Sequence, residues 1–126
     1  MANCKYKFNG RGRLFEPTNF SSDKKVVSSA RKTNGDEPYW IGIRTQVHNP
    51  SHQNYDFYYA SKDTNTPLKY DGWDASAGEP NNLGFNEDCV SVLNHGNLQW
   101  GDDECAISHL SICELNEDEG KGTFKN

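Results

Sequence analysis

The sequence predicts a small, loop-rich α+β domain, and three observations predict it. The 126 residues fit one domain. One segment near the start, residues 19–32, carries apolar residues at helical spacing, whereas the later apolar segments are short, aromatic and β-branched. Gly, Asn, Asp and Ser are scattered throughout, as turns require.

The elements follow in order. "GRLFEP", residues 12–17, predicts a short strand entering a loop. In "SSDKKVVSSARKT" Val26, Val27 and Ala30 share a face, Ser21 or Ser22 can cap the N-terminus, and Asp23 sits in the first turn. "NGDEP" then breaks the helix. "YWIGI", residues 39–43, predicts a buried strand, and "YDFYYAS", residues 55–61, another. An extended segment ends at Trp73, and residues 74–87 are almost entirely loop formers. Strands are predicted at 88–94, in "LQWGDDEC" after the tight turn "HGN", and at 109–115. A structureless loop this long inside a small domain is usually functional. The domain is expected over 4–115, and the polar tail 116–126 is expected to be disordered.

Composition removes several function classes. A net charge of −5 argues against an electrostatic nucleic-acid binder. No apolar run is long enough to insert in a membrane. Residues 1–12 hold no apolar leader core, as a mature domain also would not. Four cysteines in a short chain, none in a Cys-x-x-Cys pair, favour two disulfides and hence a secreted or extracellular setting over buried cytosolic thiols. "NFS" at Asn19 permits N-glycosylation.

The stretch "GEPNNLGFNEDCVSVLNHGNLQWGDDEC", residues 78–105, gathers Glu79, Glu87, Asp88, Asp102, Asp103 and Glu104. Either this is a solvated loop or something positive sits there. "WIGI", then "GEPNN", "NEDC", Trp100-x-Asp102-x-x-Cys105 and "ICE" follow one another in the order and spacing of a C-type lectin domain. The chain therefore resembles that family over roughly residues 4–115.

The resemblance implies a C-type lectin-like fold: mixed antiparallel sheets, a helix and a long calcium-binding loop. It implies the disulfides Cys4–Cys113 and Cys89–Cys105. The family's first strand and first helix are short or missing ahead of Cys4. The face they would cover then needs a partner, an oligomer or a second chain. Glu79, Asn81, Glu87 and Asp102 are implied as ligands of a calcium ion, and calcium takes six to eight hard oxygens. The same four residues are implied to bind sugar, two vicinal hydroxyls completing the metal's coordination. In the family the order Glu-Pro-Asn, here Glu79-Pro80-Asn81, goes with mannose, glucose, N-acetylglucosamine or fucose. Pro80 is commonly cis there. The partner is then a mannose-type glycan or a glycoprotein.

One position departs from the pattern. Gly101 stands where the family carries an asparagine ligand, removing one oxygen and one NH2. Asn82, Glu87 and Asp88 lie where part of a second calcium site occurs in some members, and the remaining ligands are not legible.

Other candidates weigh less. His48 and His52 are spaced like helical zinc ligands, but Pro50 and the turn-rich "VHNPSHQN" remove the helix. His95 and His109 read as solvent-facing or structural. No Ser or Cys nucleophile has a recognisable context, and calcium explains the paired acids more simply than a glycosidase, so no enzyme is expected. Trp40, Trp73 and Trp100 read as core, and Phe85 at the loop tip as a ligand or partner contact. Two function classes remain: a calcium-dependent sugar-binding module, and a C-type lectin-like domain binding a protein, mineral or ice surface without sugar.

Overall fold

The structure, a computed structural model, describes residues 4–47, 52–62, 64–83, 86–93 and 96–116. The expectations for His48, Phe85, His95 and the tail beyond 116 lie outside the described residues.

Among the described residues seven strands and one α-helix follow one another: β1 (Gly12–Leu14), α1 (Phe20–Asn34), β2 (Tyr39–Thr45), β3 (Phe57–Tyr59), β4 (Cys89–Val92), β5 (Trp100–Asp103), β6 (Leu110–Ser111) and β7 (Cys113–Leu115). β1 and β7 form a two-stranded antiparallel sheet. The larger sheet runs β3-β2-β4-β5 with antiparallel neighbours, and β6 lies parallel to β2. β2 is therefore central, and all its residues but Arg44 are buried. This is why "YWIGI" reads as a continuous apolar run rather than an alternating one.

Local chemistry moves several boundaries. The cap of α1 is Asn19, one turn ahead of Ser22: its backbone is extended and its side chain accepts from the Ser22 N–H at 2.8 Å. Asn is a stronger cap than Ser21 or Ser22 could be from inside the first turn. Gly35, at φ 92°, ends the helix with its N–H on the Arg31 carbonyl. The expected strand at 55–61 shrinks to Phe57–Tyr59, because the Asp56 carboxylate accepts from the Gln53 N–H at 2.8 Å and winds Asn54–Asp56 into a 3₁₀ turn. β4 stops at Val92 because Leu93 takes φ 64°. The final strand divides at Ile112, whose N–H bonds to the Trp40 carbonyl while its own carbonyl accepts from the Phe15 N–H. Ile112 thereby links the two sheets.

The three tryptophans are buried, as their aromatic context predicts. Trp73 packs against Phe57 at 4.6 Å and edge-on to Trp100 at 5.4 Å between ring centroids. Any side chain at position 72 would run into the Trp100 indole, so Gly72 is what allows this close approach. α1 docks on the same indole: Trp100 Nε1 donates to Asp23 Oδ2 at 3.0 Å. Two disulfides close the frame. Cys4–Cys113 ties the start of the described chain to β7, and Cys89–Cys105 ties β4 to the segment after β5. Among the described residues no helix is long and apolar enough to cross a membrane.

Candidate functional site

The long connection from β3 to β4 is hung on β5. The Asp74 N–H donates to the Trp100 carbonyl, and the Glu79 N–H to the Asp74 carbonyl. Gly78, at φ 76°, turns the chain out of the 3₁₀ turn Ala75–Ala77 in a conformation that a side chain would strain. The Glu79–Pro80 peptide is cis. Asn82 is fully buried at φ 46°, and its side-chain oxygen accepts from the Glu87 N–H at 3.0 Å. Asn82 is thus the staple that folds the loop back on itself.

Two of the expected site residues, Asn81 and Glu87, meet at one backbone amide of this loop. The Leu83 N–H is bifurcated, donating to Asn81 Oδ1 at 3.1 Å and to Glu87 Oε1 at 2.9 Å. The Asn81 carbonyl thus holds the Leu83 N–H, and its NH2 is not used in that contact. Glu79 is buried, and its carboxyl lies against Gly101: a Cβ added there would sit 3.1 Å from Glu79 Cδ and Oε2. Gly101 pairs with Ser91 in the β4–β5 ladder and does not take a positive φ, so the glycine answers to space rather than to backbone twist. Burial pushes the Glu87 carboxyl up to about 7. The Leu83 N–H opposes this, and the charges of Asp102, Glu79 and Asp103 add to it. Glu79, Glu87 and Asp102 are thus close enough to feel one another.

Asp102 lies at the centre of a hydrogen-bond network. Its side chain is wholly buried. Oδ1 accepts from the Asn81 N–H at 2.9 Å; Oδ2 accepts from the Asn82 N–H at 2.8 Å and faces His52 Nδ1 at 2.7 Å. The other ring nitrogen of His52, Nε2, lies 2.7 Å from the Val47 carbonyl. His52 belongs to this site and was not expected there. Its partner is 50 residues away in sequence, and the surrounding "HNPSHQN" carries no signal beyond a turn. His109 is structural, as expected: Nε2 meets Asp103 Oδ2 at 2.8 Å, and the ring packs on Trp40 at 4.6 Å.

Calcium can be tested against this donor set. Glu79, Asn81 and Glu87 supply hard oxygens of the right kind. Asp102 Oδ2 accepts from the Asn82 N–H and faces His52, Oδ1 accepts from the Asn81 N–H, and Gly101 has no side-chain oxygen to offer. Among the described residues no group of three or more His, Cys, Asp or Glu is arranged to hold a metal. These side chains supply part of a calcium shell of six to eight oxygens, to which backbone carbonyls and water also contribute.

Comparison with known proteins supplies the family. The family model described as "Lectin C-type domain" matches residues 1–115. The C-type lectin CEL-I from Cucumaria echinata superposes with a TM-score of 0.64 at 17% identity, over 87% of this chain and 74% of that one. The cow C-type carbohydrate-recognition domain of CD23, solved in the presence of a GlcNAc2Man3 oligosaccharide, gives 0.59 at 26% identity, over 82% and 70%. The Ca2+-independent C-type lectin SPL-2 from Saxidomus purpuratus gives 0.63 at 24% identity, over 90% and 73%.

Proposed function

The chain belongs to the C-type lectin domain family, and from that premise we propose that it is a non-catalytic, extracellular recognition module for mannose-type glycans. The binding face is the one carrying Glu79, Asn81 and Glu87. The observation that carries this reading is that the Asn81 carbonyl and the Glu87 carboxyl share the Leu83 N–H, with the Asn81 NH2 not engaged in that contact. It pairs an amide donor with carboxylate acceptors, and a sugar hydroxyl both donates and accepts. Two vicinal hydroxyls can each give a hydrogen to a carboxylate oxygen, and one can take a hydrogen from the Asn81 NH2. The Glu79-Pro80-Asn81 order supports the mannose-type arrangement of those hydroxyls. No step runs through calcium, because the side chains supply only part of its shell. Asp102 acts instead by fixing the Asn81 and Asn82 amides, and hence the direction of the loop. Two disulfides support the extracellular setting. Among the similar folds, one was solved with a mannose-containing oligosaccharide and another is named Ca2+-independent, and both fit this reading.

One observation favours a second reading, a protein ligand. Leu83, between Asn81 and Glu87, is 72% exposed, and an apolar side chain among polar ones marks contact surfaces. A glycan array separates the two. Retention of mannose, N-acetylglucosamine or fucose glycans supports the first reading. Silence across the array, with the fold intact, supports the second.

A further inference from the structure

We propose that Asn19 is a site of N-glycosylation and carries an oligosaccharide at the start of α1. The inference rests on the extracellular setting proposed above and not on which ligand the domain binds. Asn19-Phe20-Ser21 has the Asn-x-Ser form that the modification needs, and no other asparagine of the chain has it with a permitted middle residue: Asn49 is followed by Pro50, which blocks the motif ahead of Ser51. The fold leaves this motif open, because Asn19, Phe20 and Ser21 are all exposed. It also orients the Asn19 carboxamide. Oδ1 accepts from the Ser22 N–H at 2.8 Å, and Nδ2 has no hydrogen-bond partner among the described residues. The atom that takes the sugar is therefore the one that the helix cap does not use.

The chemistry is a group transfer from an oligosaccharide held on a lipid diphosphate. Asn19 Nδ2 bonds to the anomeric carbon of the first sugar as the bond from that carbon to the diphosphate breaks. Nδ2 gives up one hydrogen as a proton, the lipid diphosphate leaves with the bonding electron pair, and nothing is oxidised or reduced. Oδ1 is untouched, so the cap survives the modification. The order of folding favours the transfer. α1 docks through Asp23 on Trp100, and the frame closes through Cys4–Cys113. Trp100 and Cys113 lie far downstream of Asn19, so the motif enters the secretory compartment while the chain is still open. Phe20, 66% exposed, adjoins the attachment residue, and the glycan covers an apolar ring otherwise left in water.

The test uses the full chain, expressed behind a secretory leader in a eukaryotic host and recovered from both cells and medium. Its intact mass should exceed that of the polypeptide by one oligosaccharide. An amidase that releases N-glycans should remove the excess, and peptide mapping should then find an aspartate in place of Asn19. Ser21→Ala should abolish the excess mass while leaving Asn19 as the cap and the helical circular dichroism unchanged. A wild-type chain of unmodified mass overturns the proposal, and so does an excess mass that survives Ser21→Ala. Because cells and medium are both read, a poorly secreted chain still decides the question. No sugar is offered as a ligand in this test, so the glycan-binding reading stands or falls separately.

Discussion

Gly101 decides how close the Glu79 carboxyl can come to β5. A methyl group there would stand 3.1 Å from Glu79 Cδ and Oε2, tighter than ordinary contact, so the carboxyl must shift by a few tenths of an ångström. Gly101→Ala is therefore expected to leave the fold intact, since the backbone at 101 is not left-handed. It is expected to weaken glycan binding, because one charged acceptor moves out of line. A hydrogen bond to a charged group is worth about 1.5–3 kcal/mol, and losing part of it costs roughly three- to tenfold in affinity. Titration calorimetry of both proteins checks it, and equal affinities would show that Glu79 does not touch the ligand. The residue scale is also where the sequence was least complete. Glu79 and Asn81 fall in one motif and Glu87 in the next, a few residues on, so their order alone places them near one another. His52 reaches Asp102 across 50 residues, and only the pairing of β2 with β4 and of β4 with β5 makes them neighbours.

At the scale of elements, α1 and β5 meet through a buried acid. Asp23 is fully buried and accepts one hydrogen bond from Trp100, and among the described residues its Oδ1 has no hydrogen-bond partner. Burial raises its carboxyl to about 6, against the Trp100 hydrogen bond and the Lys24 charge. Its folded value lies above its unfolded one, so the stabilising contribution is full below about 4 and is lost as pH rises through about 6. Asp23→Asn keeps an acceptor for Trp100 and removes the buried charge. It should stabilise the protein by on the order of 1–2 kcal/mol above that window and change little below it. Urea unfolding at acid and neutral pH checks this, and a loss of stability at both would mean that the charge itself holds the helix. The elements were largely legible: α1, β2 and β4 carry strong apolar periodicity or β-branched runs. What periodicity could not show were side-chain decisions, such as Asn19 capping ahead of the serines, Asp56 winding a turn into the start of a strand, and Ile112 dividing the last strand to serve two sheets.

At the scale of the molecule, two disulfides restrain very different lengths of chain. Cys4 and Cys113 are 109 residues apart, and Cys89 and Cys105 are 16 apart. Loop-closure entropy gives about 4–5 kcal/mol for a closure like the first and about 3 for one like the second. Replacing Cys4 and Cys113 by serine should therefore cost more global stability than replacing Cys89 and Cys105. The second change should instead loosen the link between β4 and the segment after β5, and lower ligand affinity first. Denaturant unfolding and binding of the two variants check the order, and a reversed order would mean that strain or residual structure outweighs loop length. The same frame explains why the fold was readable when the site was not fully so. The tryptophans and three of the cysteines that build the frame sit in recognisable motifs, whereas the contact of His52 with Asp102 comes from two segments with no shared pattern.

The central claim is that the polarity of the Glu79–Asn81 pair reads sugar hydroxyls. Its most direct test is a glycan array in EDTA, with wild type beside Glu79→Gln combined with Asn81→Asp, which exchanges acceptor for donor without changing side-chain size. The account predicts mannose-type binding by the wild type that persists in EDTA, and its loss or a move toward galactose-type sugars in the double variant. An unchanged sugar profile in a folded double variant would contradict it, as would wild-type binding that vanishes in EDTA and returns with calcium.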